Sequence, residues 1–82
     1  MKRIEGVVSS EPKHENGRIL FWLNLQTDNY QLFCISASDY SERTTPKQGD
    51  RVILSGEFKA DLTQGTTQEF YFSSVELQNG VN

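Results

Sequence analysis

Between Arg18 and Thr27 the chain alternates without interruption. Ile19, Phe21, Leu23 and Leu25 fall on one side of an extended backbone, and Arg18, Leu20, Trp22, Asn24 and Gln26 fall on the other. Period two with one apolar side is the pattern of a strand that buries one face and leaves the other outside. A helix would scatter both sets around its circumference. Just before this run, Asn16-Gly17 supplies two residues that tolerate positive φ, the requirement of a tight hairpin turn.

Four further runs share the period. Arg3–Ser10 alternates Ile4, Gly6 and Val8 with Glu5, Val7 and Ser9, and Pro12 stops pairing beyond it. Gly6 within a strand implies a bend or a close backbone approach. After a turn at Asp28-Asn29, Tyr30–Ala37 forms a third strand; with Phe33 and Ile35 assigned to the core, Leu32, Cys34 and Ser36 face out. The turn Lys47-Gln48-Gly49-Asp50 leads into a fourth strand, Arg51–Phe58. In the fifth, Gln68–Leu77, Phe70 and Phe72 face one way, and Val75 and Leu77 keep that side only if a bulge falls near Ser73-Ser74. The polar segment 38–48 has room for one helical turn over Tyr40–Arg43 but lacks the spacing of an amphipathic helix. A polar loop follows over 59–67, and 79–82 reads as a short frayed tail.

Five strands in 82 residues fill one domain, residues 1–78, of all-β class with no substantial helix. An open five-stranded sheet would expose two edges, and closure into a barrel removes most of that liability. Only 35% of the residues are apolar, which suits a small barrel because alternate strand residues alone must face inward. Long loops after the first and fourth strands, and a connection between the third and fourth, predict a five-stranded Greek-key barrel.

Ile4-x-Gly6-x-Val8, Arg18-Ile-Leu-Phe21-x-Leu23-x-Leu25 and Gly49-Asp50-x-Val52-x-Leu54-x-Gly56 together resemble the nucleic-acid-binding OB-fold pattern. Variants of it occur in bacterial single-stranded DNA-binding proteins, in the primosomal protein of replication restart and in anticodon-binding domains. The resemblance spans about residues 2 to 78, and its most specific stretch is Lys47–Phe58. Typical single-stranded DNA-binding proteins carry a helix between strands three and four, where this chain has a short polar linker, so the compact primosomal form is the nearer likeness. The resemblance implies single-stranded nucleic acid, preferably DNA, as partner.

Chemistry-bearing residues are few. One cysteine and one histidine can build neither a disulfide nor a zinc site. No Ser-His-Asp set, phosphate-binding glycine loop or metal-spaced carboxylate cluster is present, so the expectation is a binding protein, not an enzyme, without metal or cofactor. Cys34, within Leu32–Ile35, reads as a small core or sheet residue. The opening residues lack a signal-peptide pattern and the longest apolar run, Ile19–Leu23, is too short to span a bilayer, which with the free thiol suggests a cytoplasmic protein without a membrane partner. Net charge is −3, from 8 basic and 11 acidic residues, against the usual balance of a tight duplex binder. A single strand remains compatible with that charge, because stacking on aromatic rings supplies much of its binding energy.

Alternation turns Trp22 outward, where an uncovered indole serves folding nothing. Either a ligand base stacks on it or another chain or loop covers it. Tyr30, just across the turn from strand two, either joins Trp22 in stacking or fills the barrel mouth. Tyr71, between Phe70 and Phe72, points outward on strand five. Asn24 shares the outward side with Trp22. Lys13 and Arg18 around the first hairpin, Arg51 on strand four and Lys59 beyond it are the candidate phosphate contacts, and His14 adds a polar ring that can stack. Glu11, Glu15, Glu57 and Asp61 interrupt these cations, which keeps a protein-interaction role for the same face in view. The apolar outward row, Leu20 and Trp22 with Leu32, predicts a dimer or higher homo-oligomer.

Overall fold

The computed structural model describes residues 1–25, 30–37, 45–60 and 68–78. It contains strands β1 (Lys2–Val8), β2 (Lys13–Glu15), β3 (Arg18–Leu25), β4 (Tyr30–Ser36), β5 (Arg51–Ala60) and β6 (Gln68–Leu77), and no helix among the described residues. None of those residues therefore forms a helix long and apolar enough to cross a membrane. Five of the strands match the expected runs; β2 is additional. Asn16 at φ 53° and Gly17 at φ 76° turn the chain back on itself. That turn pairs Lys13 with Leu20, His14 with Ile19 and Glu15 with Arg18.

The strands run in the order β1-β5-β6-β4-β3-β2, and a further β1–β3 pairing closes five of them into a barrel. One edge of β3 is shared: Arg18, Ile19 and Leu20 pair with β2, and Leu23, Asn24 and Leu25 pair with β1. β4 and β6 run parallel, and every other pair is antiparallel. This closed five-stranded barrel is compatible with an OB-fold.

Val8, Ile19, Phe21, Leu23, Val52, Leu54, Phe70 and Phe72 fill the interior as alternation requires. β4 reverses the expected phase. Phe21 stands opposite Cys34 and Leu23 opposite Leu32, and directly opposed residues share a face. Leu32, Cys34 and Ser36 are consequently buried, while Phe33 and Ile35 face out. Volume explains why small residues belong there: Cys34 lies between Phe21 on β3 and Phe70 on β6. Ser36 satisfies its buried hydroxyl by accepting the Ile19 N–H at 2.9 Å.

The bulge in the last strand falls where the pattern demanded it. Ser55 opposes Ser74 and Gly56 opposes Phe72, leaving Ser73 without a partner. The extra residue returns Val75 to the core margin, although Leu77 at the strand end is 43% exposed. The turn before β5 is built on Asp50, whose Oδ2 accepts the Lys47 N–H at 2.8 Å, with Gly49 at φ 97°. Reciprocal bonds between Val8 and the Gly49-Asp50 pair dock that turn on the end of β1. Lys59 belongs to β5, so the loop after it begins later than the pattern suggested. The Asp28-Asn29 turn, the helical turn over 40–43, the loop over 61–67 and the tail 79–82 lie outside the described residues.

Candidate nucleic-acid interface

The pairing registers assemble one outward surface on β3, β4, β6 and β5. One row reads Leu20, Ile35, Tyr71, Glu57; the next reads Trp22, Phe33, Glu69, Lys59. With strands about 4.8 Å apart, each row spans roughly 14 Å across four strands. Trp22 and Phe33 touch, their ring centroids 5.0 Å apart at an interplanar angle of 55°. Trp22 is 43% exposed. Its backbone is fixed on the open edge of β3, where its N–H donates to Ser10 Oγ at 2.9 Å and its carbonyl accepts the Ser9 N–H at 2.9 Å. The indole is thus presented from a rigid strand rather than a loop.

β2 flanks this surface. Because Lys13 opposes Leu20, Lys13 and Glu15 share its outward side. Two shallow grooves, each of about 430 Å³, meet at Glu15 and Leu20. Ser10, Lys13, Trp22 and Phe33 line the first. Arg18, Ile35, Lys59 and Tyr71 line the second. Lys59 Nζ sits 4.5 Å from the centroid of the Tyr71 ring, a cation–π contact. Tyr71 Oη donates to Glu69 Oε1 at 3.2 Å. Arg18 is partly committed to the fold, its Nη1 donating to the Ser36 carbonyl at 3.0 Å.

Of the residues singled out from sequence, Trp22, Lys13, Arg18, Lys59 and Tyr71 come together here. Four do not. Tyr30 pairs with Leu25 on the inward-facing set of β4, at the barrel end, and is 48% exposed. Its partner lies three residues from Trp22, about 10 Å along the strand. Asn24 is on the outward side of β3, but its Oδ1 is buried without a hydrogen-bond partner among the described residues. Arg51 opposes Val7, which opposes Asn24, so it lies beyond β1 and away from the aromatic pair. His14 opposes Ile19, on the other side of β2 from Lys13, beside Pro12, Pro46 and Lys47.

Phe33 and Ile35 were missed as surface residues, and Leu32 was wrongly placed on the outward row. All three errors stem from the β4 phase. The apolar outward row is Leu20 and Trp22 with Phe33 and Ile35 instead. Glu15 and Glu69 join the surface through register alone. Cys34 lies between Phe33 and Ile35 but faces the barrel interior, and burial pushes its thiol far above the ordinary range. Among the described residues no three His, Cys, Asp or Glu side chains are grouped to hold a metal. Comparisons with protein-family models, curated proteins and solved structures found no match to this chain.

Proposed function

We propose that this chain binds single-stranded nucleic acid, preferably DNA, on the outward face of β3, β4 and β6. The observation that carries the reading is the outward Trp22–Phe33 pair, an exposed indole against a half-buried phenyl ring, held on strands beside open grooves edged by Lys13, Arg18 and Lys59. Flat rings flanked by cations suit a strand whose bases are unpaired, because every base has a face to stack and a phosphate beside it. Bases stack on Trp22 and Phe33 and against Tyr71, and the three cations follow the backbone. The sequence resemblance to single-stranded DNA-binding OB proteins, together with a closed barrel having β4 parallel to β6, supports taking the fold as a Greek-key OB-fold. It is also the ground for preferring DNA.

The acids argue for a second reading. Glu15, Glu57 and Glu69 share the face with aliphatic Leu20 and Ile35, a composition that also suits a protein surface, including a second copy of the chain. Titrating a labelled oligothymidine with the protein at low salt, alongside light scattering, separates the two. Saturable binding supports the nucleic-acid reading. No binding, with a dimer or larger assembly in scattering, replaces it with the protein-interface reading.

A further inference from the structure

We propose that Glu15 makes this face selective for guanine, its carboxylate accepting the N1–H and the N2 amino hydrogen of an unpaired base; the inference rests on the nucleic-acid reading above. The Asn16-Gly17 turn folds β2 back so that Glu15 stands where the two grooves meet, lining both. Among the described residues no hydrogen bond or ion pair engages its carboxylate, although Arg18 is its cross-strand partner; Arg18 Nη1 donates to the Ser36 carbonyl. Lys13, two residues away on the same side of β2, is left to meet a phosphate.

A carboxylate only accepts hydrogen bonds. It repels phosphate oxygens, so beside a stacking wall it favours the donor edge of a base. The four bases differ sharply at their unpaired edges, which single-strand readers commonly contact. Guanine presents two adjacent donors, matching the two carboxylate oxygens. Cytosine and adenine present one amino group next to a ring nitrogen whose lone pair faces the second oxygen. Thymine presents one N–H between two carbonyls. A bidentate contact of this kind discriminates by about 5- to 150-fold against the wrong base.

The test measures anisotropy of three short labelled strands with the full chain: thymidine only, thymidine alternating with guanine, and the same strand with hypoxanthine replacing guanine. Hypoxanthine keeps N1–H and lacks the N2 amino group. The wild type binds the guanine strand at least about fivefold more tightly than the thymidine strand, with the hypoxanthine strand between them. Glu15→Gln removes most of the guanine advantage and tightens binding of the thymidine strand by lifting repulsion of its phosphates, with the thermal melt confirming that the variant is folded. Equal wild-type affinity for guanine and thymidine strands overturns this inference and leaves the nucleic-acid reading standing. A guanine preference that survives Glu15→Gln also overturns it. Failure to bind any of the strands overturns both.

Discussion

Trp22 and Phe33 oppose each other across β3 and β4 with ring centroids 5.0 Å apart, so the exposed indole has an aromatic neighbour on the same face. Truncating either removes part of one stacking surface. Trp22→Ala and Phe33→Ala each weaken binding of a single strand by about 1–3 kcal/mol, the usual worth of a stacked base. Because the rings also contact each other, the double variant loses less than the sum. Both side chains point out of the barrel, so circular dichroism of the variants stays that of a β protein. Anisotropy titrations of the wild type, both single variants and the double variant provide the check, and wild-type affinity in Trp22→Ala relocates the binding face.

Charge on this face is modest, and the salt dependence follows from it. Lys13, Arg18 and Lys59 offer about two or three phosphate contacts, each contributing about −0.7 to the slope of log affinity against log salt on a single strand. The expected slope is therefore shallow, between about −1.4 and −2.1. Lys59→Ala flattens it by about 0.7. Arg51→Ala leaves it unchanged, since Arg51 lies beyond β1 from the aromatic pair. Titrations across a salt series measure all three, and a steep wild-type slope contradicts this assignment of cations.

How far the sequence foretold this surface depends on what sets each residue's facing. On β3, unbroken alternation from Ile19 to Leu25 settles the buried set without reference to any neighbour, and Trp22 is outward as expected. On β6, keeping Val75 on the side of Phe72 required a bulge near Ser73-Ser74, and the register with β5 puts it at Ser73. β4 is different. Leu32, Phe33, Cys34 and Ile35 are all apolar, so periodicity carries no phase, and the register across the preceding turn decides. The phase with Phe33 and Ile35 in the core is reversed in the barrel, which sets small Cys34 between Phe21 and Phe70. Glu69 reached the outward face beside Phe33 because β6 lies beside β4 in parallel, a pairing of strands distant in sequence that no local pattern records.

Burial of Cys34 has a consequence in alkaline solution. In the unfolded chain its thiol ionises around 9.0, whereas in the barrel desolvation pushes that ionisation well above it. Above the unfolded value the unfolded chain holds fewer protons than the folded one, so stability is fully present below that pH and falls as pH rises through it. The wild type therefore loses about 1.4 kcal/mol per pH unit beyond what Cys34→Ala loses from its own lower starting stability. Urea unfolding of both proteins between pH 8 and about 11 isolates this term from the lysines and tyrosines they share. Parallel curves contradict the burial of the thiol.

Gly56 lies against the backbone of β6 at the bulge, where a Cβ would come 1.9 Å from the Tyr71 carbonyl oxygen and 2.7 Å from the Phe72 Cα. Both contacts are backbone, which cannot rotate away as a side chain can. Gly56→Ala must push β5 from β6, and such overpacking costs about 1–3 kcal/mol or more. Gly17 provides the contrast: apart from its own residue and its two chain neighbours, no atom of the described residues lies within 4 Å of its Cβ position, and only its φ of 76° opposes substitution. Gly17→Ala should cost about 1 kcal/mol, from backbone strain alone. The two variants also separate in function. Parting β5 from β6 at residue 71 disturbs the Lys59–Tyr71 contact, so Gly56→Ala weakens strand binding even at temperatures where it is folded. Thermal melts together with titrations well below each midpoint measure both effects, and a Gly56→Ala protein as stable as the wild type contradicts the close packing of β5 on β6.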